Sequence, residues 1–389
     1  MKIAILGGGV AGVSTAIALT QKGFDVAIYE RRSAPTDVGA GIVIWPNAAY
    51  VLDQLDVLND MAALSGRPTH MRRLSLHGEE LGSMDILDIN RRMGYPSLSV
   101  LRRDLQRVLL AKLDALGVEI RYGHAVADIE QEGRDRSCIR FGNGAQAMAD
   151  VVIGADGRMD SPSRRYVHGD SRPVYQGFIN WVGVYEAQED VFTDMAVRDY
   201  WGVGERFGIV PVSKRTAYWA GAIVSKSIEK SNPELYKKEL LSVFSAWPSL
   251  VAKIIEETPI ESIHKVYVHD HDPIELWHKR NVIIIGDAAH APLPTSGQGA
   301  CQALEDAWHL ANCLQENPRD LDAAFTAFTA LRSEKTADII RAGRSLASAL
   351  FNTDASFCEA RNASSKSSNF AEIAKGMAQF WGRGLPLNA

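Results

Sequence analysis

The N-terminal thirty residues constrain the fold of this chain more than any other segment. Residues 2–6 form an apolar run that ends at consecutive glycines, as a strand buried on both faces does. Residues 10–22 then carry apolar side chains at helical spacing, and residues 25–29 form a second apolar run. This order predicts a β-strand, a helix and a second β-strand at the start of an α/β fold.

The turn between the first strand and the helix has the pattern Gly7-x-Gly9-x-x-Gly12. Glycines let the backbone approach a pyrophosphate, and the start of a helix attracts its negative charge. Glu30 ends the second strand, where a carboxylate accepts hydrogen bonds from an adenosine ribose. The motif predicts dinucleotide binding without deciding between FAD and NAD. Because Glu30 would repel a 2′-phosphate, NADP is disfavoured in this site.

Composition excludes several classes of protein. The 389 residues are 46% hydrophobic and 23% charged, which is typical of a globular chain and excludes disordered, collagen-like and coiled-coil proteins. A formal net charge of −5 argues against a nucleic-acid-binding role. No apolar run is long enough to cross a membrane, and the four cysteines show no metal-ligand spacing. We therefore expect a reduced, cytoplasmic protein without a metal site, without a nucleic-acid partner and without membrane attachment.

The texture of the sequence changes along the chain. Short β-like runs rich in aromatic residues fill the stretch from about 174 to 270, and a buried-strand pattern returns at residues 281–285. The tail from Ser356 onward is left unassigned. The predicted divisions are a discontinuous FAD-binding domain, a substrate-binding sheet domain and C-terminal helices. They cover, respectively, residues 1–70, 97–172 and 281–318; residues 71–96 and 173–280; and residues 319–389.

Two further motifs each follow an apolar strand: Asp156-Gly157, and Gly286-Asp287 with His290 after it. Taken singly, an Asp-Gly pair is a common turn and Asp287 is compatible with a helix cap. His290 is interpreted as a packing residue, with a role as a base as the alternative. Together with the N-terminal glycine motif, and in this order along the chain, the two motifs form a set of three.

The set resembles the single-component FAD-dependent aromatic monooxygenases, a family that includes p-hydroxybenzoate hydroxylase. Three further segments carry the resemblance, which covers roughly residues 1–345: residues 39–47, the segment around Arg102 and residues 286–306. In texture the chain is nearest to FAD-dependent urate hydroxylase and salicylate hydroxylase. The resemblance implies a Rossmann-like FAD-binding domain of the glutathione-reductase type. It also implies an inserted mixed β-sheet domain for the substrate, followed by C-terminal helices.

The resemblance also assigns the residues that contact FAD. Those expected at the adenosine diphosphate part or the ribityl chain are Gly9, Ala11, Gly12, Glu30, Arg31, Arg102, Val126 and Asp287. Those expected along the isoalloxazine or beside it are Val43, Gly297, Gln298, Gly299, Ala300 and Cys301. Cys301 is also interpreted as a small buried residue, because it has no partner cysteine.

By the same resemblance, NADH or NADPH reduces the FAD, and O2 then gives a flavin C(4a)-hydroperoxide that hydroxylates an aromatic or heteroaromatic ring. Asn180, Arg206 and Tyr218 are the predicted substrate-binding residues, and Arg206 and Tyr218 are also placed in the catalytic site. Aromatic side chains of the sheet domain are predicted to line the pocket: Trp45, Trp181, Trp201, Phe207, Tyr218 and Trp219. A monomer or a homodimer is expected.

The chain departs from the family pattern at two places. The loop after Asp156-Gly157 is one residue longer than usual, so the family's contact between this loop and NAD(P)H is not carried over to this chain. Thr295-Ser296 stand where urate hydroxylases have an acidic residue, so the substrate is not assigned as urate. The alternatives are a flavin-dependent reductase or oxidase on the same fold, and a non-catalytic NAD-binding regulatory protein. The disulfide-reductase CxxxxC pair and the halogenase Trp-x-Trp-x-Ile-Pro motif are both absent.

Overall fold

The structure, a computed structural model, describes residues 1–35, 40–133, 136–169, 172–229 and 232–387. The strands are β1 (Lys2–Leu6), β2 (Asp25–Tyr29), β3 (Gly41–Ile44), β4 (His70–Ser75), β5 (Glu80–Asp85), β6 (Leu98–Leu101), β7 (Ile120–Arg121), β8 (Val126–Glu132), β9 (Arg136–Phe141), β10 (Gln146–Ala149), β11 (Val151–Gly154), β12 (Val174–Glu186), β13 (Val197–Trp201), β14 (Glu205–Pro211), β15 (Thr216–Val224), β16 (His264–Asp270), β17 (His278–Lys279) and β18 (Val282–Ile284). The helices are α1 (Val10–Gln21), α2 (Pro46–Gln54), α3 (Leu58–Ala63), α4 (Ile86–Met93), α5 (Arg102–Ala115), α6 (Pro162–His168), α7 (Tyr236–Phe244), α8 (Ser249–Glu257), α9 (Asp287–His290), α10 (Gly299–Glu316), α11 (Leu321–Leu350), α12 (Ala355–Lys366) and α13 (Phe370–Gly382).

The first domain is built on a six-stranded sheet with the order β17-β18-β11-β1-β2-β7. All its pairings are parallel except that of the short edge strand β17. Residues Ile3 to Leu6 and all of β11 and β18 are buried, because helices cover both faces of a parallel sheet. This confirms the predicted α/β class and the N-terminal strand-helix-strand unit.

A second sheet of seven strands has the order β16-β12-β15-β14-β13-β4-β5. It is mixed, because β13 pairs with β4 in parallel while its other pairings are antiparallel. Strands from two distant parts of the chain therefore meet in one sheet. The exact domain limits stay a prediction.

The two faces of this sheet have different partners, because side chains alternate along each strand. One face is buried in a core of aromatic and aliphatic residues that includes Trp181, Phe207 and Trp219 together with residues of α7 and α8. The prediction that these three aromatic side chains line the substrate pocket is therefore wrong, because they are buried against the two helices. The opposite face carries Asn180, Arg206 and Tyr218.

The C-terminal tail, which the sequence left unassigned, forms α12 and α13. Ala374, Ala378 and Trp381 share one buried side of α13, at the spacing of a helix that packs by one face. The Trp381 ring lies 4.6 Å from the ring of Trp45, so the tail packs against the first domain. Among the residues described, none of the helices has both the length and the apolar character needed to cross a membrane.

Candidate functional site

The glycine turn after β1 is shaped for close backbone contact. A Cβ on Gly12 would lie 1.9 Å from the carbonyl oxygen of Gly7, and one on Gly7 would lie 2.3 Å from that of Ala155. By contrast, a Cβ on Gly9 would meet no atom within 4 Å. α1 begins behind Gly9 with no side-chain cap, so its first N–H groups are available to an anion.

Glu30 lies beside this turn, as predicted. Its carboxylate accepts hydrogen bonds from the backbone N–H of Gly8 at 2.7 Å and of Arg32 at 2.9 Å. These bonds hold the carboxylate next to the turn, while its remaining lone pairs can accept hydroxyl groups of a ribose. Arg31 is exposed next to it, and Val126 is half-buried at the start of β8. Direct contacts of all three with FAD stay a prediction.

Cationic side chains face the same region. Desolvation by the surrounding protein lowers the pKa of Arg102, although part of its side chain still reaches solvent. The negative charge of Asp287 opposes this shift, and the positive charges of Arg158 and Arg32 add to it. Arg158 Nη1 also lies 3.4 Å from a carboxylate oxygen of Asp287, and its buried Nε has no partner among the residues described. This grouping of positive charge suits a pyrophosphate. Arg158 was not among the residues predicted from the sequence, although it directly follows the Asp156-Gly157 motif.

The longer loop after this motif folds around its aspartate. The buried carboxylate of Asp156 accepts a hydrogen bond from the backbone N–H of Ser163 at 3.0 Å, and both Ser161 and Ser163 donate their hydroxyls to it. Burial raises the pKa of Asp156, against these hydrogen bonds. Ser161 also caps α6 by accepting the N–H of Arg164. The extra residue is thus accommodated by a hydrogen-bonded loop.

The loop before α10 contacts the segment around β3. Trp45 Nε1 donates to the Gly297 carbonyl at 3.1 Å, and Cys301 Sγ lies 3.6 Å from the Val43 carbonyl oxygen. Burial raises the pKa of Cys301 to about 12, so this thiol is a packing group and not a nucleophile. Gly299 and Ala300 open α10, which has no side-chain cap. Gly39, in the segment that carried the resemblance, lies outside the described residues.

Beneath this loop lies a buried cluster of charges made by Glu305, Asp306, Arg332 and Lys335. Arg332 donates to both carboxylates, Lys335 donates to Glu305 at 2.8 Å, and Asp306 accepts the N–H of Gly286 at 2.8 Å. Burial alone would raise the pKa of Asp306, but His290 and Arg332 outweigh it and lower that pKa. This cluster was not predicted from the sequence. The signal for it was the adjacent acidic pair Glu305-Asp306 among the apolar residues of α10.

Among the buried polar atoms that have no partner within the described residues are two amide atoms near this cluster, Gln298 Nε2 and Asn47 Oδ1. Both side chains are buried, and Asn47 Nδ2 donates to Gln298 Oε1 at 3.0 Å and to Glu305 at 2.7 Å. Buried polar atoms of proteins rarely lack a partner unless a ligand or water supplies one. These two unpartnered atoms, the open space at Gly9 and the side chains of Arg102 and Arg158 together fit a bound dinucleotide with a polar ring.

The buried His309 gives a testable pH dependence. The pKa of His309 is lowered to about 3, mainly by burial and secondly by the positive charge of Arg332. Between that value and its ordinary pKa the unfolded chain binds a proton that the folded protein excludes, so acidification destabilises the fold. On lowering the pH from about 6.5, we expect wild type to lose up to about 1.4 kcal/mol of unfolding free energy per pH unit more than His309→Gln does. Urea unfolding of both proteins measures this, and parallel pH profiles would contradict it.

The polar face of the seven-stranded sheet carries the three residues that are predicted to bind the substrate. The ring of Tyr218 lies against Gly41, where a Cβ would be 2.0 Å from it, so this face meets β3. Burial raises the pKa of Tyr218, and its hydroxyl makes no hydrogen bond to any described residue. Arg206 Nε donates to Asp199 at 2.6 Å, and Asn180 is half-buried on the same face. The structure thus brings the three predicted substrate residues to one face of the sheet, with the ring of Tyr218 next to β3.

Residues 1–323 match a family model described as "FAD binding domain". The chain is 33% identical to aurachin C monooxygenase/isomerase of Stigmatella aurantiaca, over 87% of each chain. It is 32% identical to 3-amino-4-hydroxybenzoate 2-monooxygenase of Streptomyces cremeus, over 93% of this chain and 91% of the other. Its fold is similar to that of Klebsiella pneumoniae HpxO complexed with FAD and uric acid, with a TM-score of 0.91 and 26% identity over 99% and 97% of the two chains.

Proposed function

The chain belongs to the family that carries this FAD binding domain, and from that premise we propose that its substrate is a small anionic aromatic or heteroaromatic compound. The protein is an FAD-dependent monooxygenase of the aromatic hydroxylase type, with NAD(P)H as reductant. O2 as the oxygen donor, a monomeric or homodimeric state and a cytoplasmic location stay predictions. The observation that carries the proposed substrate class is the arrangement of Arg206, Tyr218 and Asn180 on one sheet face, which meets β3 at the Tyr218 ring.

The residues proposed to hold FAD fall into two groups. The glycine turn, Glu30, Arg102 and Arg158 would bind its anionic diphosphate and ribose parts by backbone N–H groups, a carboxylate and guanidinium groups. The loop before α10, with Gln298, would lie along its ring. When bound, FAD supplies the electron transfer and oxygen chemistry that amino-acid side chains lack. The N-terminal end of α10 favours negative charge beside it, through the helix dipole.

The sheet face would bind and orient the substrate. Because the pKa of Tyr218 is raised, its hydroxyl stays protonated at neutral pH and can donate a hydrogen bond to a substrate oxygen. Arg206 uses Nε for Asp199, and its other N–H groups can hold an anionic group of the ring compound. Asn180 adds an amide that both donates and accepts. Orientation by such fixed groups brings the reacting ring carbon to one position.

The proposed function is tested by NAD(P)H oxidation and O2 uptake of the FAD-loaded protein, with phenols, hydroxybenzoates, pyridines and purines. We expect a subset of anionic rings to stimulate both rates and to yield hydroxylated products by mass spectrometry. For such a substrate, Arg206→Gln should raise KM by roughly 10- to 100-fold, since a hydrogen bond to a charged group contributes about 1.5–3 kcal/mol.

The matched control is Arg215→Gln, because Arg215 is exposed and paired with Asp190 at 2.7 Å. It removes the same charge at the surface, so its KM should stay at the wild-type value. An Arg206→Gln protein with unchanged KM for the anionic substrate would contradict the proposed recognition. NAD(P)H oxidation without hydroxylated product across the panel would favour the reductase or oxidase alternative.

A further inference from the structure

Arg73 is a second cation on the polar sheet face. Strand pairing places it opposite Asp199, and Asp199 in turn pairs with Gly208 on β14, the strand of Arg206. All these residues lie on the face that carries Tyr218, because each pairing keeps the side-chain alternation in register. Arg73 and Arg206 thus flank the same carboxylate from the strands on either side of it.

Arg73 is held in place without an anionic partner. Its guanidinium carbon lies 5.1 Å from the centre of the Trp201 ring and 5.1 Å from that of Phe370, in two cation–π contacts. Within the described part of the chain it makes no hydrogen bond and no ion pair. Burial lowers the pKa of Arg73, Asp199 opposes this and Arg206 adds to it. A positive charge is therefore fixed in a half-buried place with its N–H donors unused.

The charges around Asp199 do not balance. This carboxylate accepts the Arg206 Nε and, at 2.9 Å, the Trp201 Nε1, so it compensates one guanidinium. Arg361 adds a further positive charge, 5.2 Å from the centre of the Trp201 ring, where it donates to backbone carbonyls such as that of Gly202 at 3.0 Å. Three guanidinium groups thus lie around one carboxylate, of which only Arg206 bonds to it, and the excess positive charge favours an anion from outside the protein.

We propose that Arg73 forms an anion subsite that binds the carboxylate tail of a ring compound whose ring lies by Tyr218 and Asn180. This inference rests on the proposed function, and it narrows the substrate class to aryl compounds with an acidic side chain. Arg73 lies three strands from Tyr218 and four from Asn180, roughly 14 and 19 Å across the sheet at about 4.8 Å per strand. Arg206 lies only one and two strands from the same two residues. A carboxylate directly on the ring is served by Arg206, whereas a carboxylate several bonds away reaches Arg73.

The test uses binding to the FAD-loaded protein, read from the perturbation of the flavin absorbance. The probes are benzoate, 3-phenylpropanoate and 5-phenylpentanoate, each compared with its neutral amide. We expect Arg73→Gln to weaken the longest acid about tenfold, equivalent to about 1.4 kcal/mol, and to leave benzoate and the amides unchanged. Arg206→Gln should weaken the short acid directly, and it should weaken the long acid because Asp199, released from Arg206, would then compensate the charge of Arg73. Arg73→Lys should retain part of the affinity, because it keeps the charge but loses the planar donor group.

Arg72→Gln is the matched control, because the neighbouring Arg72 points to the other face and pairs with Asp194 at 3.2 Å. Equal weakening by Arg72→Gln would reduce the effect to net charge and overturn the subsite. Unchanged binding of the long acid to Arg73→Gln, with its dependence on Arg206 intact, would overturn the subsite alone. If no acid binds better than its amide, the subsite and the anionic substrate class both fail.

Discussion

Replacing Gly12 by alanine should abolish FAD retention. The new Cβ would lie 1.9 Å from the Gly7 carbonyl oxygen, which belongs to the backbone of the turn and can only yield by moving the turn. Loss of two backbone hydrogen bonds to the anionic diphosphate, at about 1.5–3 kcal/mol each, weakens binding by at least roughly a hundredfold. The measurement is the ratio of flavin to protein absorbance after gel filtration, followed by titration of the flavin-free protein with FAD.

Two other glycines separate a loss of the ligand from a loss of the fold. Gly9→Ala adds a methyl group to open space, so the unfolding free energy of the variant should stay unchanged. Its affinity for FAD should fall, because the methyl group occupies space that is assigned to FAD. Gly376 lies within α13, and a Cβ there would meet no atom within 4 Å. Gly376→Ala should therefore retain FAD and raise the unfolding free energy by about 0.5–1 kcal/mol. Wild-type FAD affinity in Gly12→Ala would show that the turn is not the binding site.

Replacing Arg332 by methionine should lower the unfolding free energy by about 3–5 kcal/mol, because it leaves two buried carboxylates with too little positive charge. Arg332 is fully buried and donates to Asp306 at 2.8 Å and to the Gln302 side chain at 2.6 Å. Since Asp306 holds the Gly286 N–H and Glu305 holds Asn47, the variant should also bind FAD less tightly. Denaturant unfolding at a fixed FAD concentration measures the first effect, and FAD titration measures the second.

Arg341→Met is the control for this variant, because Arg341 is exposed and pairs with Asp338 within the same helix, α11. Exposed pairs of this kind contribute about 0.3–0.5 kcal/mol, so the expected change is close to zero. A loss below about 1 kcal/mol in Arg332→Met would mean that Lys335 compensates both carboxylates by itself.

Local patterns in the sequence predicted part of the site. The glycine turn with Glu30 is a short-range motif, because the strand, the turn and the helix all lie within thirty residues. Arg158 and the buried pair Glu305-Asp306 were not predicted. The partner of Arg158 lies more than a hundred residues away along the chain, and the pair is bound by an arginine of another helix. An arginine or a carboxylate in isolation reads as a solvated surface group, and only its neighbours show otherwise.

The aromatic residues of the sheet domain show the limit of pattern reading. The alternation of side chains puts Trp181, Phe207 and Trp219 together on one face, but it does not say which face meets α7 and α8. These rings were predicted to line the pocket, whereas they are buried against the two helices. The polar residues that alternate with them lie on the opposite face, where the substrate is proposed to bind.

The amino-acid sequence by itself determined the α/β class and the glycine turn, because these depend on residues close together along the chain. FAD as the cofactor followed from a family resemblance that spans most of the sequence. Only the tertiary structure decided which face of the seven-stranded sheet is polar and where the tail packs. It also decided that Arg73, Asp199 and Arg206 stand side by side. The physical reason is that strand order and helix docking join distant segments, and charges interact through the space between them and not through their spacing along the chain.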